Sequence, residues 1–267
     1  SEILQAGDMI QVFFSDETFS KMRGQEAVSS EYQKLLQVPH ELQVIYEDDL
    51  MLIVNKPSGM LSQKASESDI SLNESILSYL IHEGLLSEET YAVFHPSVAN
   101  RLDRNTSGIV LAGKTLAGQQ FLSDILRDRS AKKIYNCIVR GKVEEEMHLK
   151  GYLLKDERSN QVQIFSDETQ DAKPIETAYR PLVVGPDATL LEVHLITGRS
   201  HQIRAHLASI GHPIAGDPKY GDMVWNKKLR QDFSVRSQLL HAYSITLPDG
   251  RTFIADEPKI FSQIMRG

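Results

Sequence analysis

Arg101, Asp103 and Arg104 crowd into four residues of the stretch NRLDRNTSGIVLAGKT, residues 100–115. A lone carboxylate between two guanidinium groups is expected to stay ionised, because nearby positive charge favours its charged form. Small or polar turn-formers follow (Asn105, Thr106, Ser107, Gly108), then the apolar run Ile109, Val110, Leu111 and Ala112, closed by Gly113. Charge packed against a turn and a short buried strand describes a rigidly held site. It equally describes a surface loop with a solvated ion pair, and these residues alone leave both readings open.

Other chemistries fit less well. Gly108, Gly113, Lys114 and Thr115 satisfy the phosphate-loop pattern G-x-x-x-x-G-K-T. That pattern works when flexible amides wrap a phosphate after a hydrophobic strand. Here the four intervening residues are strand-formers and the preceding segment is charged, which favours a structural role. Nine histidines invite a metal, but His201 and His206 are five apart and do not share a helix face as an i, i+4 pair would. His194 has no carboxylate partner in an obvious motif, so core or surface roles suit these histidines better. A G-x-S-x-G serine elbow is absent. Glycosidase chemistry would need a second carboxylate beside Asp103, for which Asp217 is the only candidate that suggests itself. What remains is one aspartate, several arginines, a tyrosine on a strand and basic residues opening a helix. Arginines of this kind contact phosphate oxygens in RNA-binding sites.

Composition bounds the rest. A chain of 267 residues, 41% hydrophobic and 24% charged, suits one large globular domain, or one with a small appendage, that needs no disulfide or structural metal. No apolar stretch approaches the roughly 18 residues of a membrane helix, and no signal peptide is evident. Cys137 is the only cysteine, which excludes a disulfide framework and a cysteine-based zinc site. A cytoplasmic protein is expected. The net charge of −7 argues mildly against nucleic acid as a partner, although an acidic chain can carry a local basic cleft.

The elements that must hold the charged stretch can be read from periodicity. Residues 4–14, LQAGDMIQVFF, read as a turn entering a short strand, and residues 15–33 as a polar linker without clear period. Residues 44–46 and 50–54 form a hairpin across Glu47, Asp48 and Asp49, ended by the turn chemistry of NKPSG. Residues 70–86 have helical spacing through Leu72, Ile76, Leu77 and Leu80. The clearest amphipathic helix is 116–127, with Phe121, Leu122, Ile125 and Leu126 inward. A strand at 133–139 puts Ile134, Asn136 and Ile138 on one face and Tyr135, Cys137 and Val139 on the other. Residues 144–172 are polar, with short strands at 152–154 and 162–165. A strand at 189–197 leads into a helix at 200–210, with Ile203, Leu207 and Ile210 inward and Gly211 at its end. A hairpin at 239–255 turns on Pro248-Asp249-Gly250. Without regular βαβ alternation, the expected class is α+β on a largely antiparallel sheet.

With these segments in place, a family resemblance emerges. NRLDRNTSG resembles the HRLD-R-D-TSG signature of the RluA/RluC/RluD type of pseudouridine synthase. NKPSGMLSQ (55–63), KKIYNCIVRG (132–141), LITGRSHQIRAHLASIGHPIAGDPKYG (195–221) and LLHA (239–242) are similar to further motifs of that family, in the same order. The resemblance spans residues 39–267. It implies an α+β pseudouridine synthase catalytic domain there, with a mixed, mostly antiparallel sheet, flanking helices and a central cleft. Residues 1–38 resemble only the end of the RNA-binding module that often precedes it, plus a linker.

The resemblance also implies roles. Asp103 falls on the catalytic aspartate, Tyr135 on the active-site tyrosine and Arg204 on the arginine that pairs with the aspartate. Substrate contacts fall on Arg101, which fills the gap left by a flipped base, on Arg199, and on Leu240 near the uracil. The implied reaction isomerises uridine to pseudouridine in ribosomal or transfer RNA, without metal or cofactor, by a monomer that binds no membrane. Two positions depart from the signature: Asn100 replaces a histidine and Asn105 an acid.

Overall fold

The computed structural model describes residues 25–156 and 158–266; the strand expected within residues 4–14 lies outside them. The described residues build an α+β fold on one eleven-stranded sheet. In chain order the elements are α1 (Gln25–Leu35), β1 (Val44–Glu47), β2 (Met51–Lys56), α2 (Leu72–His82), α3 (Glu88–Val93), β3 (Ser97–Val98), β4 (Ser107–Gly113), α4 (Leu116–Arg127) and β5 (Lys132–Arg140). Then follow β6 (Met147–Asp156), β7 (Gln161–Phe165), β8 (Lys173–Val184), β9 (Ala188–Leu195), α5 (Gln202–Ser209), α6 (Met223–Phe233), β10 (Leu240–Thr246), β11 (Thr252–Ile254) and α7 (Ile260–Arg266). The main path runs β1-β2-β4-β10-β5-β9-β8-β6-β7. Every pairing is antiparallel except that of β4 with β10.

Local chemistry explains the central elements. The β1–β2 hairpin closes where Asp48 Oδ1 accepts from the amides of Leu50 and Met51, both at 2.8 Å. β4 is buried along its whole length, as its uninterrupted apolar run requires of a strand covered on both faces. The formal phosphate-loop match is thereby accounted for: Gly113 ends β4, Lys114 pairs with Glu47 at 2.7 Å, and Thr115 caps α4 by accepting from Gly118. Gly108 could be no other residue. Its φ is +109°, and a Cβ there would lie 2.3 Å from the Ala242 carbonyl. That close approach sets the parallel β4–β10 pairing beside the charged turn.

Two regions differ from the sequence reading. Residues 144–172, read as two short strands, contribute the full ten residues of β6 as well as β7, and they are followed by the twelve-residue β8. Pro174 and Pro181 concealed β8, since proline removes a ladder donor and argues against a strand interior. The strand absorbs Pro181 at a register shift between it and Val183. Residues 25–35, read as linker, form a helix. Its Val28, Tyr32 and Leu35 join the main core, and the Tyr32 hydroxyl donates to the Leu86 carbonyl at 3.0 Å.

Candidate active site

The NKPSG segment that ends β2 and follows it is a clamp on the Asp103 loop. Lys56 is fully buried, and its ammonium donates to the carbonyls of Pro57 (3.0 Å), Met60 (2.7 Å) and Arg104 (3.1 Å). The Gly59 amide also donates to Arg104, the Ser58 hydroxyl to the Asn105 carbonyl, and Ser62 bonds both the amide and the carbonyl of Leu102. From the other side, Asn100 donates to the Ile109 carbonyl and accepts from the Leu111 amide at 2.8 Å. Asn100, one of the two departures from the signature, thus ties the loop to β4. Burial lowers the Lys56 pKa to about 8, with the Asp103 charge acting in the opposite direction. Lys56→Met should leave the Pro57 and Met60 carbonyls without their donor, with Arg104 keeping only the Gly59 amide, and cost more than about 2 kcal/mol, read by denaturant unfolding. An unchanged midpoint would remove Lys56 from the account.

Arg204 reaches Asp103 from the opposite wall. It lies in the first turn of α5, which His201 opens in the left-handed conformation (φ 55°). The turn is fastened by Gln202, which donates to the Glu176 carbonyl and Thr177 hydroxyl and accepts from Thr197 and the Arg199 amide. Arg204 Nη1 donates to Asp103 Oδ2 at 2.7 Å, while Nε and Nη2 fork onto Asp217 Oδ2 and Oδ1 at 2.7 and 2.9 Å. Asp217 is buried and also accepts from the amides of Lys219 and Tyr220. Burial alone would raise its pKa, but the bonds to Arg204 overcome this and hold it below the usual carboxylate range. Burial would likewise lower the Arg204 pKa, and the two carboxylates push it up instead. Tyr220 completes the support, with its ring centroid 5.3 Å from the guanidinium carbon.

The charge partner of Asp103 is therefore remote in sequence. Arg101 and Arg104, read as its flanking cations, are both exposed, and among the described residues neither makes an ion pair with it. His201 does approach: Nε2 lies 3.9 Å from Asp103 Oδ2, and Nδ1 is 2.9 Å from the Tyr220 hydroxyl. Burial, aided by Arg204 and Lys219, lowers the His201 pKa below its ordinary value. Sequence reasoning leaves His201 a core or surface histidine and weighs Asp217 only as a glycosidase acid. The GDPKYG turn that ends the long motif carried no readable sign of an arginine partner.

A notch of about 60 Å³ opens at these groups. It is lined by Asp103, Tyr135, Arg204, Arg199 and Leu240 together with Thr106 and His201, so five of the six sequence-predicted site residues converge. Arg101 does not line it. Tyr135 is buried on β5, and burial first, then the Asp103 charge, push its hydroxyl pKa far up. Among the described residues that hydroxyl has no hydrogen-bond partner. Larger cavities lie elsewhere, one of about 810 Å³ between β1, β2 and the segment after β11. The small notch is where ionised groups meet, and it is the candidate for chemistry. No described helix is long and apolar enough to cross a membrane.

Comparison with known proteins shows the family. Residues 50–209 match the family model for RNA pseudouridylate synthase. The chain is 35% identical over 231 residues to the ribosomal large subunit pseudouridine synthase C of Haemophilus ducreyi, covering 86% of this chain and 68% of that protein. It is 33% identical over 212 residues to the tRNA pseudouridine synthase C of Vibrio cholerae, covering 75% and 83%. The solved structure of Human RNA Pseudouridylate Synthase Domain Containing 4 superposes with a TM-score of 0.66 at 18% identity, over 90% of this chain and 96% of that one. That likeness is one of fold.

Proposed function

This chain belongs to the RNA pseudouridylate synthase family: it is an isomerase of uridine in RNA, and we propose that Asp103 is the residue on which its chemistry turns. The observation that carries the assignment is the Arg204 guanidinium, fixed on its inner side by Asp217 and presenting its remaining edge to Asp103 at the notch. A carboxylate so oriented, with 30% of its side chain exposed, is accessible to a ligand yet cannot swing away. The substrates follow the relatives: ribosomal or transfer RNA. The reading carries with it a cytoplasmic monomer without a cofactor. In the same reading residues 39–267 are the catalytic domain and residues 1–38 the end of an RNA-binding module plus a linker, with α1 as the part that docks on the catalytic domain.

In this reading the uridine leaves its stack, at a cost of a few kcal/mol, and Arg101, exposed beside the loop, fills the gap. The bond between N1 and the ribose carbon breaks, with Asp103 either attacking as a nucleophile or promoting loss of the base. The uracil turns against Leu240, C5 bonds to the ribose carbon, and the C5 proton leaves while N1 gains one. Atoms and electrons balance without an outside reagent. Tyr135 stands beside Asp103 to assist the C5 proton. Because burial keeps its hydroxyl neutral, it receives the C5 proton as it gives its own to solvent, from which N1 is protonated. Tyr135→Phe keeps the ring and deletes that relay. Turnover is expected to fall about 100-fold or more, with RNA affinity unchanged and stability altered by no more than about 1 kcal/mol. Full pseudouridine yield from the Phe variant would reduce Tyr135 to a core residue.

RNA binding should depend on salt despite the net charge of −7. Arg199 lines the notch, and Arg101 and Arg104 are exposed on the loop that carries Asp103. If each meets a phosphate, the logarithm of affinity falls with the logarithm of salt at a slope of about −2, at roughly −0.7 per contact on a single strand. A titration that is flat between low and moderate salt contradicts an RNA cleft here. The target RNA itself is found by mapping pseudouridines in cells with and without the protein; identical maps would oppose the function.

A further inference from the structure

His201 lines the notch but takes no part in the isomerisation described above. Its neighbours fix where its proton sits. The Tyr220 hydroxyl oxygen accepts from the Val162 amide at 2.9 Å and lies 2.9 Å from His201 Nδ1. Among the described residues Nδ1 is the only acceptor within that hydroxyl's reach, so the hydroxyl donates to it. A neutral imidazole that accepts at Nδ1 carries its proton on Nε2. Burial, which lowers the His201 pKa below its ordinary value, keeps the ring neutral at pH 7. Nε2 lies 3.9 Å from Asp103 Oδ2, beyond hydrogen-bond reach, and has no other partner among the described residues. It is not one of the sealed polar atoms that lack a partner, which are Asn136 Oδ1 and Gln238 Oε1. The notch thus presents a free N–H donor beside a carboxylate. The spacing suits one bridging oxygen, which at about 2.8 Å from each would subtend roughly 90° between them.

Only one kind of group satisfies both neighbours. An ionised carboxylate accepts and cannot donate, while Nε2–H donates, so the bridging atom must donate to the first and accept from the second. The uracil carbonyls and the ribose ring oxygen only accept, and would set a negative oxygen against Asp103. The uracil N3–H only donates. A hydroxyl does both. Within an RNA chain the 3′ and 5′ oxygens of the ribose are held in phosphodiesters, which leaves the 2′-hydroxyl. It sits on the carbon next to the one whose bond to N1 breaks, so it comes within reach of Asp103 whenever the reacting carbon does. We infer that His201 and Asp103 together hold the 2′-hydroxyl of the target uridine, Nε2 donating to it and Oδ2 accepting from it, and that His201 thereby makes the site specific for ribonucleotides. The inference rests on the reading of Asp103 as the group that acts at the ribose carbon. A hydroxyl that is donor and acceptor at once is the group by which proteins distinguish RNA from DNA.

The test compares an RNA that carries the mapped target uridine with the same RNA in which that nucleotide alone is 2′-deoxyuridine, both assembled by ligation around a synthetic segment. Wild type and His201→Asn are assayed on each for kcat/KM and for equilibrium affinity. Asn tolerates the left-handed backbone at position 201, and its short amide can still accept from Tyr220, but it places no donor where Nε2 was. The intrinsic effect of the missing hydroxyl on the glycosidic bond is common to both enzymes and cancels when their ribo-to-deoxy ratios are compared. That ratio is expected to be about five- to tenfold smaller for His201→Asn than for wild type, as one lost hydrogen bond implies. The change should fall on the ribose substrate, with the deoxy substrate handled alike by both. Affinities give the same comparison where the deoxy RNA is bound but not turned over. His201→Ala also lacks the donor, so either variant that melts as a folded protein decides. Equal ratios in wild type and a folded variant would overturn the proposal, because a histidine that only braces Tyr220 affects both substrates equally. Absence of pseudouridine from wild type acting on the all-ribose RNA is a different failure, since it removes the reading of the notch as well as this extension.

Discussion

Arg204→Met is expected to abolish turnover and to lower stability by about 3–5 kcal/mol at neutral pH, the cost of leaving a buried charge without its partner. The unpaired group is Asp217, whose side chain is wholly buried and receives two hydrogen bonds from Arg204. The pH dependence distinguishes this cause from simple loss of packing. In wild type the Asp217 pKa is held below its unfolded value, so its contribution is present above about pH 4 and is lost as pH falls through the folded value. In the variant, burial without the guanidinium raises that pKa above the unfolded one, and the sign reverses: the protonated acid is tolerated, the anion is not. The deficit relative to wild type should therefore be largest at pH 7 and shrink towards pH 4. Denaturant unfolding at both pH values measures it. An equal deficit at both would assign the loss to packing, and a variant with wild-type turnover would undo the pairing with Asp103.

Asp103→Asn should behave differently. Its side chain is partly exposed, and Arg204 would keep its fork on Asp217, so fold and RNA affinity should change little. The amide preserves shape but can act neither as nucleophile nor as base. Turnover is expected to fall by at least about a thousandfold, the order seen when a group acting directly on the reacting atoms is removed. Binding and single-turnover assays on the same preparation separate the two effects. Lost binding together with lost activity would make Asp103 a structural or anchoring residue instead.

The contrast between Asp103 and Arg204 also marks what the sequence could disclose. Local reading gave Asp103 its neighbours Arg101 and Arg104 as charge partners, because spacing along the chain was all it had. The actual partner lies 101 positions away, and only the resemblance pointed to it. Elements whose periodicity is unmixed were legible: the β1–β2 hairpin, the inward stripe of α4, and β4 with its four consecutive apolar residues. β8 was hidden by two prolines, Pro181 at a bulge and Pro174 one residue inside the start of the strand. α6 was hidden because Met223 and Val224 face solvent and leave only Leu229 buried, too little to make a stripe. In α1 the inward positions Val28, Tyr32 and Leu35 do keep helical spacing, but three apolar residues in a polar run fall below what the pattern can resolve. Lys56 and Asp217 escaped notice as supports for a general reason. A buried charge is identified by the carbonyls or carboxylates around it, and those come from other segments of the chain.

The central claim is that uridine becomes pseudouridine at the Asp103 notch. It is tested most directly by digesting unmodified ribosomal and transfer RNA to nucleosides after incubation with the wild-type chain or with Asp103→Asn. Chromatography then counts both nucleosides. The account predicts that wild type gains pseudouridine mole for mole with uridine lost and that Asp103→Asn gains none. Pseudouridine accumulating at the wild-type rate with the Asn variant would contradict it.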